Sequence, residues 1–251
     1  METDTIRDIG PRMVDGHNVG DVTRDQKSIV RIGGVAGLLA GFSFILAAIA
    51  LLGGSVSNGP NELVQNFPQV STSMAIGDGL YLITVLSLFI LVIALYHELR
   101  RQNSFLAMVG GGIGSIGLSA LAIGSMPHVA YSKISEIFHS PTTTSEEQTS
   151  LVHMWQAVHG IFNEMDTVGF MLLALGFIIL SLAMRRSPSF GRRVGCAGVI
   201  LGATVLFGMS IFTMDSSAIF PFVLIAFVIM PVLFGSNLFR ISRRKLPGVD
   251  G

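Results

Sequence analysis

Asp78, His128, His153, His159, Glu164, Asp166 and Asp215 are the residues of this sequence whose types could do chemistry. Carboxylates and imidazoles hold metal ions, exchange protons or bind charged solutes. All seven stand near one end of long apolar runs. A polar stripe that enters an apolar membrane helix is costly unless it faces protein or water, so it marks a candidate site. At 100° per residue, Trp155, His159, Asn163 and Asp166 share one face of a helix, while His153 and Glu164 fall on a second stripe. The candidates for a polar ligand site are therefore His159, Asn163 and Asp166, joined by His128, Asp78 and Asp215 from other helix ends. Against this stands interfacial solvation, with Trp155 as an anchor at the membrane surface. By length, Asp166 is the residue that clearly reaches the hydrocarbon.

A metal centre is the sharper form of the idea. His159 and Asp166 are two turns apart, about 10 Å along the axis, too far to share an ion without His128, Asp78 or Asp215. No metal site is assigned on this basis, and His128, His159 and Asp166 stand only as weak ligand candidates. A haem would need His128 and His159 to face each other. Glu136 and His139 have the spacing of half a di-iron pair, but no second such pair exists. There is no HExxH. Gly112, Gly114 and Gly117 spell GxGxxG inside an apolar run, where the motif means packing and not pyrophosphate binding. Cys196 is the single cysteine, so no intrachain disulfide or CxxC pair can form. GlySer pairs lack a histidine at their depth. His97 and Glu98 before Arg100 and Arg101 read as a local ion pair at an interface. No cofactor or catalytic residue is assigned.

These residues must be positioned by membrane helices. Of 251 residues, 50% are hydrophobic, 13% charged and 29 are glycine, with a mean hydropathy of +0.65. A hydrocarbon core of about 30 Å needs roughly 20 apolar residues per helix. Six such runs occur, over about residues 31–52, 78–99, 105–126, 165–184, 194–214 and 218–239. The expected fold is an all-α, six-span bundle over residues 29–240, between a disordered tail at 1–28 and a basic tail at 241–251. No removable signal peptide is read. Residues 53–77 read as an exposed Gly, Ser, Asn and Pro loop. Within the outer loop 128–144, Tyr131, Ile134 and Phe138 share a face and suggest a helix lying on the membrane surface.

Ser145 and Gln148 form a capping-box pattern at the start of the fourth long helix. Unbroken to Met184, it would be about 58 Å long, so its first half either projects from the bilayer or bends at Gly160. Gly33, Gly37 and Gly41, and again Gly195, Gly198 and Gly202, make smooth faces for close helix approach. Such faces suit packing within the chain, a second copy or another membrane subunit. Pro221 and Pro231 predict a bend in the last helix.

Six spans place 15 of the 16 basic residues on one side, Lys133 being the exception. Lys- and Arg-rich short loops stay cytoplasmic, so both termini are expected there, in a cell membrane. No basic surface remains to suggest a nucleic-acid partner, and the lipid bilayer is the expected surrounding.

The RIGGVAGLLAG opening, ALYHELRRQN after the second span and RRSPSFGRRVGCAGVILG before the fifth resemble a six-pass prokaryotic membrane family, the domain of unknown function DUF4386. The resemblance covers about residues 28–240 and implies a fold class, with no function or site residues. The leading functional expectation is a non-enzymatic module that binds or passes a small solute or ion. The alternatives are a membrane-embedded metal-dependent enzyme using His128, His159, Asp166 and Asp78 or Asp215, and a structural or sensory membrane subunit.

Overall fold

A computed structural model describes residues 19–54, 60–212 and 217–243. Asp215, most of the expected amino-terminal tail and the tail from Arg244 lie outside the described residues. Every described element is helical: α1 Val19–Gly54, α2 Pro60–Leu99, α3 Ser104–Gly124, α4 Pro127–Phe138, α5 Ser145–Arg185 and α6 Gly191–Ile211. A 3₁₀ turn Ser217–Ile219 then leads into α7 Phe220–Leu224, a π-helical turn Ile225–Ile229 and α8 Met230–Arg243. Six stretches are long and apolar enough to cross a membrane, as a multi-pass membrane protein requires.

The helices are held by one apolar core and by close backbone contact. Leu88, Leu91, Leu95 and Leu99 of α2 repeat every three to four residues and are fully buried. They meet Phe170, Phe177 and Leu180 of α5 and Phe227 and Phe234 of the last helix. The outward faces keep Ile32, Phe42, Ile49, Ile90, Ile116 and Phe207 exposed, as suits a surface against lipid chains. Glycines let backbones touch along α3–α5 and α1–α8. A Cβ on Gly176 of α5 would stand 2.6 Å from the Gly114 nitrogen, and one on Gly37 of α1 2.6 Å from the Pro231 carbonyl. The GxGxxG glycines thus lie in a helix, with Gly114 and Gly117 facing α5.

Two helices are about twice as long as the hydrocarbon is thick. At about 1.5 Å per residue, α2 and α5 each reach roughly 60 Å. They run parallel, and their amino-terminal halves extend past the other spans at one end of the bundle. There they enclose α4 and build a second, separate core. Val64, Phe67 and Val70 of α2, Tyr131, Ile134 and Phe138 of α4, and Leu151, Val152 and Trp155 of α5 are its buried members. Tyr131 stacks on Trp155 with ring centroids 4.1 Å apart, and Phe67 meets Trp155 edge-on at 5.3 Å. We call this layer the cap.

The cap corrects several expectations. Residues 60–77 are helix and not loop: Pro60 stands at the first helical position, where its missing N–H costs nothing, and Glu62 complements the amino-terminal dipole. The face carrying Tyr131, Ile134 and Phe138 is covered by α2 and α5 and does not lie on lipid. α5 is unbroken through Gly160 and its capping box is Thr144 with Glu147, one residue earlier than the sequence pattern suggested. α1 already begins at Val19, inside the stretch expected to be a tail.

The expected irregularity of the last span is present. Pro231 has no N–H for the carbonyl of Phe227, and the chain takes up the mismatch as a π turn in which the Met230 N–H reaches the Ile225 carbonyl. That turn sets Phe227 fully inside, stacked on Phe44 at 4.8 Å and against Tyr81 at 5.4 Å.

Candidate functional site

Where the cap meets the span bundle, polar side chains from α2, α4 and α5 converge on the broken joint between α3 and α4. Asp78 and Tyr81 are three residues apart on the inward face of α2, continuous with the buried Val85 and Leu88 below them. Asp78 is 7% exposed although its side chain is a carboxyl group. His128 belongs to the first turn of α4, which restarts the chain at Pro127 after α3 ends at Gly124. Its Nδ1 donates to Asp78 Oδ2 at 2.9 Å, so the carboxylate has a partner that can carry the opposite charge.

A second chain of contacts runs up from α5. The Asn163 side-chain nitrogen donates to His159 Nε2 at 3.1 Å, which leaves His159 Nδ1 as donor to the Tyr131 hydroxyl oxygen at 2.9 Å. Tyr131 keeps its own hydroxyl proton to give. Its electrostatic neighbours are Asp78 and Asp166. His159 is exposed, so it ties α5 to α4 at the rim of the cluster and does not form its floor.

Asp166 is the floor. Its carboxylate lies against Gly124, where any Cβ would overlap Oδ1. Oδ1 is buried and makes no hydrogen bond among the described residues. The Tyr81 hydroxyl is likewise buried without a partner. Asp166 is an electrostatic neighbour of Asp78 and of Tyr81. The end of α3 adds to the negative character, because the last carbonyls of a helix carry its negative dipole end. Ser125 turns its own N–H and hydroxyl back onto Leu121, Ile123 and Ala122, and the Met126 N–H also reaches the Ile123 carbonyl, so three of the last four carbonyls of α3 already accept hydrogen bonds.

The arrangement therefore has two carboxylates, the negative dipole end of a helix and one histidine, His128, bonded to a carboxylate. Two anions sheltered in one apolar setting repel and are poorly solvated unless cations or protons accompany them. His128 can match one. Nothing among the described residues matches Asp166. Depth along α5 agrees with a site inside the protein at the hydrocarbon edge: Asp166 is roughly 28 Å from Arg185 at about 1.5 Å per residue.

The other candidates separate. His128 and His159 are bonded to different partners, Asp78 and Tyr131. Among the described residues no three His, Cys, Asp or Glu side chains are grouped to hold a metal ion. His153 and Glu164 are exposed on the outer face of α5. His139 bonds Ser135 and the Gln65 carbonyl within the cap, and Glu136 pairs with Lys133 at 2.8 Å. The sequence pattern did not single out Tyr81, Tyr131 as a polar group, or Gly124. Two of the chain's three tyrosines stand three residues after a candidate, Tyr81 after Asp78 and Tyr131 after His128, and that spacing was the available signal.

The family described as domain of unknown function DUF4386 matches residues 32–239. No curated protein and no solved structure matches the chain.

Proposed function

This chain belongs to the DUF4386 family, and we propose that it is a small-ion module of a cell membrane, with the site between Asp78 and Asp166 taking a monovalent cation. The observation that carries the reading is the buried Asp166 Oδ1 with no hydrogen-bond partner among the described residues, beside a second carboxylate. A cation placed there would gain both carboxylates, the negative dipole end of α3 and the Tyr81 hydroxyl oxygen. Helices interrupted at the binding site, with a carbonyl end directed at a cation, are a general solution in membrane transporters. The break between α3 and α4 and the π turn bearing Phe227 supply such interruptions on two sides. The basic residues at the end opposite the cap favour a cytoplasmic location for that end and for both termini.

The test is thermal unfolding of the detergent-purified protein in chloride salts of sodium, potassium, ammonium or N-methylglucamine at constant ionic strength. One small cation raises the midpoint of the wild type in a saturable way, and Asp166→Asn removes the response while remaining folded. A wild type indifferent to all three small cations, or a variant with an undiminished response, overturns the reading.

A further inference from the structure

At the end of the bundle opposite the cap, the geometry points to a binding site for the phosphate headgroup of an anionic phospholipid. α3 begins there and α5 ends there, and between them lies a cleft of about 560 Å³ lined by Asn103, Phe105, Leu182, Arg185, Arg186 and Arg192. The three arginines come from the last turn of α5, its carboxyl cap and the first turn of α6. None of them is in an ion pair among the described residues, and no carboxylate lines the cleft. Convergence is more than charge placement on one membrane side requires, since that rule is satisfied by arginines pointing anywhere in the aqueous layer.

The positions are fixed by the turn. The Ser187 N–H bonds the Met184 carbonyl, the Gly191 N–H bonds the Ser187 carbonyl at 3.0 Å, and Ser187 and Phe190 are buried. Gly191 has φ +79°, a left-handed conformation that suits glycine and swings α6 back along α5. The stem of Arg185 lies over Gly195, where a Cβ would meet it at 2.5 Å. Opposite the arginines, Asn103 Oδ1 accepts from the Leu106 N–H and so caps and fixes the start of α3.

The lining chooses the source of the phosphate. Phe105 is 68% exposed and stands with Leu182 on the side of the cleft that continues into the lipid-facing surface. A free phosphate has no use for that apolar wall. A phospholipid places its headgroup among the guanidinium groups and its first acyl carbons on Phe105 and Leu182. Basic pockets between spans on the positively charged side are suited to such headgroups, and the planar guanidinium matches phosphate oxygens in pairs.

The experiment is native mass spectrometry of the full chain from mixed micelles doped with phosphatidylglycerol or phosphatidylcholine, with inorganic phosphate as a separate arm. Arg186→Ala/Arg192→Ala is compared with wild type, and Arg240→Ala on α8 serves as a charge control. The wild type and the control retain phosphatidylglycerol over phosphatidylcholine, and the double variant retains about thirtyfold less, as expected for two basic groups at a headgroup. Equal retention of the two lipids by the wild type overturns the proposal, as does undiminished retention in the double variant. Inorganic phosphate that displaces phosphatidylglycerol completely at millimolar concentration overturns the lipid assignment.

Discussion

Asp166 is an acid with an uncompensated buried oxygen, and that sets its mutational behaviour. Replacing it with Asn removes a charge that lacks a hydrogen bond at Oδ1. In salt containing only a large organic cation, Asp166→Asn is expected to be more stable than wild type by about 1–3 kcal/mol, read by chemical unfolding. Asp78→Asn goes the other way, because it removes the negative charge that faces His128 at 2.9 Å. Gly124 provides a geometric check. Gly124→Ala should destabilise by about 1–3 kcal/mol through overlap with the Asp166 carboxylate. The same change in an Asp166→Ala background should cost markedly less, and additive effects would mean that the two do not touch. Asp78, His128, His159, Asn163 and Asp166 were visible in the sequence as ionisable or amide groups near the ends of apolar runs. Their pairing was not, since Asp78 and His128 are 50 positions apart and carry no local mark of each other. Tyr81 and Gly124 were hidden for a different reason: a tyrosine or glycine in an apolar helix looks like packing until its facing helix is known.

At the scale of elements, the cap stands on its own aromatic core. Trp155→Ala should cost about 3–5 kcal/mol, the range for an aromatic ring removed from a packed interior. The loss should be local. Amide hydrogen exchange should rise in residues 62–74, 129–138 and 145–158 while the α3–α5 contact between Gly114 and Gly176 keeps its protection. Uniform loss of protection across the spans would contradict a separate cap core. The same layer was only partly legible in the sequence. The run from Pro60 to Gly77 carries Val64, Phe67, Val70 and Met74 at helical spacing, yet its Pro, Ser and Asn content suggests a loop. What makes it helical is burial against α4 and α5, which composition does not report. The membrane spans were legible because length and hydropathy are properties of single segments.

At the scale of the whole molecule, the protein has two unlike ends. One carries the cap and the acidic cluster; the other carries the arginines that close α2, α5 and α8. Orientation can be read with cysteines placed in a Cys196→Ser background at Thr142, in the cap, and at Gln102, in the basic turn after α2; both positions are exposed. In intact cells an impermeant maleimide should label Thr142→Cys and leave Gln102→Cys untouched until the membrane is opened. The reverse pattern would invert the topology and put the acidic cluster on the cytoplasmic side. The account of the molecule as an ion module depends most on what the Asp166 carboxylate does when an ion arrives. The most direct measurement is infrared difference spectroscopy of the reconstituted protein as N-methylglucamine is exchanged for each small cation. The account predicts a reversible, saturable change in the carboxylate stretching bands with one of those cations, lost in Asp166→Asn. Bands unchanged by every cation, or identical in the variant, would contradict it.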